Sequence, residues 1–221
     1  MASMAQPPHA VNRTRLWAEF GALFIAIPLL IALFMPLNLM FAALFGFTVV
    51  GLALLWMTGG YEWRALVSHW SRVPWLKVVL FGAVVGATGW AIMQMTAPEH
   101  IRLLTVERFR FLILLWLLYP LLSALPQELI FRVLFFHRYS VLFPDQRIGL
   151  LVNAALFSFA HLMYWSATVL VLTFIGGLVF ALSYVRHGFP TAWILHGVAG
   201  NVLFTVGMGY YFWTGNVIRP F

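Results

Sequence analysis

The chain has 221 residues, 63% of them hydrophobic and only 9% charged, with a formal net charge of +7. A soluble domain carries roughly 25% charged residues, so the composition excludes an ordinary soluble fold and makes the lipid bilayer the expected surroundings. The basic residues stand singly between apolar runs, which excludes nucleic acid as a partner, and the absence of cysteine excludes disulfides and thiolate chemistry.

Residues 1–15 are polar and read as a cytosolic N-terminal tail. The apolar run that follows, 16–35, is too long for the core of a cleaved signal peptide and has no small-residue cleavage pattern after it. It reads as a retained first helix with Glu19 near its polar end. A helix needs about 20 apolar residues to cross a bilayer. Seven segments qualify: 16–35, 37–57, 75–97, 111–138, 147–164, 167–186 and 190–213. Pro36, Pro74, Pro98, Pro144 and Pro190 mark boundaries, where proline starts or stops a helix. Pro28, Pro120 and Pro126 fall inside spans and are expected to kink them. Gly82, Gly86 and Gly89 form a smooth stripe that reads as a packing face for another helix. The predicted fold class is therefore all-α, a polytopic transmembrane bundle of about seven spans. Neither a repeat nor a linker is visible, so residues 16–221 read as a single domain.

Loop charges set the orientation. With the N-terminus in the cytosol, the inner side holds Arg13, Arg15, Arg64, Arg72, Lys77, Arg138, Arg147 and Arg186. The outer side holds Arg102, Arg108, Arg110 and Arg219, diluted by Glu99 and Glu107.

Once the loops are subtracted, four ionisable residues remain inside apolar runs: Glu128, Arg132, His161 and His196. A charge at the centre of a membrane helix costs about 2.5–3.5 kcal/mol and usually faces the bundle interior. Glu128 and Arg132 are one turn apart and can pair on one helix face. Mutual neutralisation explains how the two are tolerated but not why they exist, since two leucines would be cheaper. With a helix rise of about 1.5 Å per residue, Glu128, His161 and His196 lie about 15, 21 and 9 Å from the inner side. Tilt and a kink at Pro126 could bring them to one site. There a glutamate oriented by Arg132 can act as general base on a water. A histidine can hold that water, and a second histidine with an amide can donate to a developing oxyanion. That set describes hydrolysis of a peptide bond without a covalent intermediate. Zinc is the rival reading, because Glu/His/His is also a common catalytic zinc set.

Three motifs then fall in order: Gln127-Glu128-Leu-Ile-Phe-Arg132, Phe157-Ser-Phe-Ala-His161, and His196-Gly-Val-Ala-Gly200-Asn201. From about Ser123 to Thr205 the sequence resembles the CPBP (Abi) family, the CAAX-protease and bacteriocin-processing membrane endopeptidases, whose pattern is Glu-Glu-x-x-x-Arg, Phe-x-x-x-His and His-x-x-x-Asn/Asp. Gly176 and Gly177 in the intervening helix also fit. The resemblance implies a glutamic-type intramembrane endopeptidase with its core at about 109–213. It implies catalytic Glu128, His161, His196 and Asn201, supported by Gln127, Arg132 and Asn153, with no cofactor. Its substrate would be a membrane protein or lipid-adjacent peptide, and the short chain points to a bacterial cytoplasmic membrane.

The sequence departs from the pattern twice. The family's first glutamate, usually the water-activating base, is Gln127 here, and Gly200 occupies the position where Asn or Asp is expected, with Asn201 one residue later. Asn201 reaches the face of His196 only if the helix is bulged or overwound there. Asn153 shares a stripe with Phe157 and His161 and reads first as a helix-packing hydrogen bonder. The alternative to a protease is a non-catalytic relative that binds peptides or partner helices, a reading that Gln127 supports. A transporter using Glu128 and Arg132 as a coupling pair is weakened by the lack of a repeated half.

Overall fold

The computed structural model describes residues 12–101, 106–213 and 217–220. Most of the expected N-terminal tail, the outer charge Arg102 and the side chain of Glu107 lie outside the described residues. Among those described, every regular element is helical.

Helix α1 (Arg13–Phe34) is capped by Asn12, whose Oδ1 accepts from the amides of Thr14 and Arg15 at 3.0 and 3.2 Å. Helices α2 (Met40–Thr58) and α3 (Trp75–Thr96) follow, joined by a loop with two short 3₁₀ turns. Helix α4 (Arg108–Leu142) is the longest. Helix α5 (Gln146–Ala160) is capped by Asp145, which accepts from the Arg147 amide at 2.7 Å. Helices α6 (Ala167–His187) and α7 (Phe189–Thr205) meet at Gly188, whose φ of +92° makes the reversal. A single turn, α8 (Gly209–Phe212), ends the described helices.

Among the described residues, six helical segments are long and apolar enough to cross a membrane: α1 to α4, α6, and α5 extended to Tyr164. The expected seventh span, 190–213, is not continuous. Helix α7 stops at Thr205, and Gly207, at φ +98°, turns the chain before α8. At 17 residues α7 is short for a span, and it is the most enclosed helix. The glycine stripe explains the enclosure. Added Cβ atoms on Gly82, Gly86 and Gly89 would lie 3.0, 3.1 and 2.9 Å from side chains of Val198, Val202 and Leu203. Helix α3 therefore seats α7 against its bare backbone, as a membrane interface without hydrophobic drive requires. Helices α5 and α6 pack on each other, and α6 packs on the second side of α7.

The interior prolines act through widened turns. Residues Ala22–Ala26, Pro120–Ala124 and Leu129–Tyr139 are wound as π-helix, the first two at the prolines of α1 and α4. A proline removes one N–H from the helical ladder and strands the carbonyl four residues earlier. For Pro120 that carbonyl belongs to Trp116, and it accepts instead from Asn201 Nδ2 of α7 at 3.1 Å. The Pro120 carbonyl takes a second donor, Trp193 Nε1, at 2.7 Å. The break in α4 is thus what bonds it to α7.

The helix ends sort onto two sides, as alternating spans must. On one side Arg138 donates to both oxygens of Glu19 at 2.6 and 2.8 Å and to Thr58 Oγ1 at 2.7 Å. On the other side Arg108 donates to the Thr205 carbonyl at 3.1 Å and Arg219 to the Met35 carbonyl.

Candidate active site

Glu128 and Arg132 have no exposed surface, although they are the costliest residues in the chain to bury. The reason is a closed set of partners. Arg132 Nε donates to Glu128 Oε2 at 3.1 Å, and the second carboxylate oxygen, Oε1, lies 2.9 Å from His196 Nδ1 on α7. Arg132 Nη1 donates to Asn153 Oδ1 on α5, and Asn153 Nδ2 donates to the Phe131 carbonyl at 2.5 Å. A buried charge is tolerated only when paired and hydrogen-bonded, and here one carboxylate, one guanidinium, one imidazole and one amide satisfy one another across three helices. Arg132 Nη2 has no hydrogen-bond partner among the described residues, but the guanidinium carbon lies 4.9 Å from the Phe157 ring centroid. A cation over a ring face is attracted by its quadrupole.

His196 is held by more than its carboxylate. The Phe180 ring stacks on it at 4.9 Å with an interplanar angle of 12°, and Phe157 meets it edge-on at 5.4 Å. A carboxylate oxygen can only accept, so Nδ1 carries the hydrogen of this bond and, in the neutral ring, Nε2 presents a lone pair. That nitrogen lies 3.3 Å from the hydroxyl of Tyr119 on α4.

His161 stands where α5 ends rather than within it, at φ −90° and ψ 4°. Its Nδ1 donates to the Phe157 carbonyl at 2.7 Å, so its Nε2 is also an acceptor when neutral. Its ring lies 4.8 Å from that of Phe157, which also touches His196. The four ionisable groups singled out from the sequence are therefore neighbours, gathered around Phe157. Asn153 joins them directly through Arg132.

Two expected site residues are placed differently. Asn201 does not reach His196. Helix α7 runs through it without a bulge, so the extra residue in the motif turns the side chain toward α4, where it caps the Trp116 carbonyl. Gln127 points along α4 rather than at Glu128. Its Nε2 donates to Ser123 Oγ at 3.0 Å, while Oε1 is buried without a partner among the described residues. The sequence reading missed Tyr119 and Ser123. The signal was present in the spacing: Tyr119, Ser123 and Gln127 recur every four residues, three polar side chains on one stripe of an otherwise apolar helix. Among the described residues no group of three or more His, Cys, Asp or Glu is placed to hold a metal.

A helical bundle with these spans and this polar interior is an integral membrane protein. Residues 109–203 match the model of the Rce1-like family, described as type II CAAX prenyl endopeptidase Rce1-like. The match bears out the resemblance to the CPBP family read from the three motifs. At the level of the family, it supports a membrane endopeptidase of the CAAX-protease type. Comparison with curated proteins and with solved structures gives no match.

Proposed function

We propose that this protein is an intramembrane endopeptidase that hydrolyses a peptide bond in a membrane-associated substrate, using water activated through Glu128. The observation that carries the proposal is the contact of Glu128 Oε1 with His196 Nδ1, 2.9 Å long and shielded from solvent. Arg132 and His196 occupy both oxygens of Glu128, so the carboxylate works through the histidine. It fixes the tautomer and offsets the charge that His196 gains when Nε2 takes a proton from water, the logic of a histidine oriented by a buried acid. His161 contributes a second acceptor nitrogen to hold the same water. Arg132 and Asn153 position Glu128, and Gln127 is a neutral neighbour. No metal is assigned a role. The substrate class follows from the family description: a peptide whose end is anchored by a prenyl group, for which lipid-facing helices are a suitable entry. The membrane would be the bacterial cytoplasmic membrane, with the N-terminus in the cytosol, in keeping with the excess of basic residues on that side.

The test is cleavage of a fluorogenic farnesylated CAAX peptide by the purified protein in lipid nanodiscs. Turnover above that of a His196→Gln control supports the proposal. A second reading, a non-catalytic peptide-binding relative, is favoured by Gln127, whose amide cannot take a proton. An inert wild type that gains cleavage on Gln127→Glu would establish that reading and overturn the first.

A further inference from the structure

Gly200 of α7 and Tyr119 of α4 occupy one space. A Cβ built on Gly200 would overlap the Tyr119 ring carbons and lie 2.5 Å from its hydroxyl oxygen. Substitution by any other residue would expel the ring. Gly200 is four residues after His196, so the gap it leaves is on the same helix face. The tyrosine that fills the gap brings its hydroxyl to 3.3 Å from His196 Nε2. No other side chain among the described residues hydrogen-bonds that nitrogen. The ring is also clamped by Phe204, at 5.9 Å between centroids. A chain of hydrogen bonds therefore runs Tyr119, His196, Glu128, Arg132, Asn153. Ser123, one turn further along α4 than Tyr119, accepts from Gln127 Nε2 at 3.0 Å. On the same stripe Gln127 supplies Ser123 with a donor, from a position where a carboxylate could only accept.

Resting on the endopeptidase reading above, we propose that Tyr119 is a catalytic residue, the hydroxyl donor that stabilises the oxyanion of the tetrahedral intermediate, and that Gly200 exists to admit it. The step balances as follows. The water oxygen bonds to the scissile carbonyl carbon while its proton passes to His196 Nε2. The carbonyl π electrons move onto the oxygen, which accepts a hydrogen bond from Tyr119. On collapse, the C–N bond breaks and the proton on His196 goes to the leaving nitrogen. The geometry suits this exchange. A 3.3 Å contact is long for a hydroxyl bond, whose usual length is about 2.7–2.8 Å. The hydroxyl can therefore yield Nε2 to the water and turn to the carbonyl oxygen beside it. Asn201 is turned away from this work, its Nδ2 donating to the Trp116 carbonyl on α4.

The experiment compares wild type, Tyr119→Phe, Tyr119→Ala, and the exchange variant Tyr119→Ala/Gly200→Asn, in nanodiscs with the farnesylated reporter peptide. Removing one oxyanion donor costs about 10²–10³-fold in kcat. Tyr119→Phe keeps the ring and its packing, so kcat should fall by that factor at unchanged KM and unchanged melting temperature. A purely structural tyrosine would not separate kcat from KM in this way. The exchange variant returns a donor to the same gap from the opposite helix and should recover at least tenfold in kcat over Tyr119→Ala. An active wild type whose kcat survives Tyr119→Phe would overturn the role of Tyr119 alone. An inert wild type would overturn the endopeptidase reading and this role together.

Discussion

Glu128 is predicted to serve both stability and chemistry, and one pair of variants separates the two. Glu128→Gln preserves shape but replaces one oxygen that accepts by an NH₂ that donates. Both of its partners are donors: Arg132 Nε at 3.1 Å and His196 Nδ1 at 2.9 Å. Turned with its NH₂ toward His196, the amide forces the ring into the other tautomer; turned the other way, the NH₂ faces the Arg132 donor; and in both cases Arg132 becomes a buried cation without a counter-ion. Breaking a buried pair from one side costs about 3–5 kcal/mol, so the single variant should unfold markedly earlier on heating in detergent. Removing both charges, as Glu128→Gln/Arg132→Met, eliminates the unpaired cation. Replacing a whole buried pair by neutral groups is often neutral or stabilising, so the double variant should recover most of the lost stability. Activity should not follow. Replacing the acid behind a catalytic histidine by its amide lowers kcat by about 10⁴-fold in the triad enzymes, and a comparable loss is expected in both variants. The assays are thermal unfolding followed by tryptophan fluorescence, and turnover of the farnesylated reporter. A double variant that is stable and still cleaves at near wild-type rate would refute the reasoning, because Glu128 would then be only the counter-ion of Arg132.

Asn201→Leu leaves the Trp116 carbonyl without its substitute donor and should cost about 1–3 kcal/mol, while kcat of the surviving folded protein stays within a few-fold of wild type; collapse of kcat at full stability would return Asn201 to the catalytic set. Gly86→Leu drives a side chain into Val202, which already lies 3.1 Å from an added Cβ, and should destabilise by about 1–3 kcal/mol through overpacking, read as a lower melting temperature; an unshifted melting curve would show that α3 and α7 can separate without cost. Elemental analysis of protein purified without chelators should find no stoichiometric zinc, and one zinc per chain that disappears in His161→Ala would contradict that.

Much of this arrangement was legible in the sequence because the membrane makes polar residues informative. In an apolar chain each buried charge must have a partner, so Glu128, Arg132, His161 and His196 could be selected by elimination, and the structure places them around Phe157. The glycine stripe of α3 was legible for a similar reason, since small residues in a membrane helix mark close backbone approach. The ends of α7 were not. Thr205 and Gly207 interrupt a run that remains apolar to Trp213, and only the positive φ at Gly207 reveals the turn. Asn201 was misplaced because motif spacing gives a residue's position along a helix, whereas its direction depended on a carbonyl stranded by a proline on another helix. Tyr119 was passed over because its partner His196 is on another helix, and only the gap at Gly200 brings the two together.

The enclosure of α7 has a consequence for how the protein is made. Ten of its 17 residues are buried, including His196, and its two long sides are covered by α3 and α6. Such a helix has little surface to offer lipid. It is also emitted from the ribosome after the segments that cover it. Earlier helices must therefore enter the bilayer with Glu128 and Arg132 paired to each other and to Asn153 but without His196, and the groove that receives α7 must stay open until it arrives. Helix association after insertion is the second stage of membrane folding, and for this chain that stage is also the moment at which the carboxylate first meets its histidine. Until that stage Glu128 and His196 are apart, so the polar cluster around Phe157 is completed only when α7 docks.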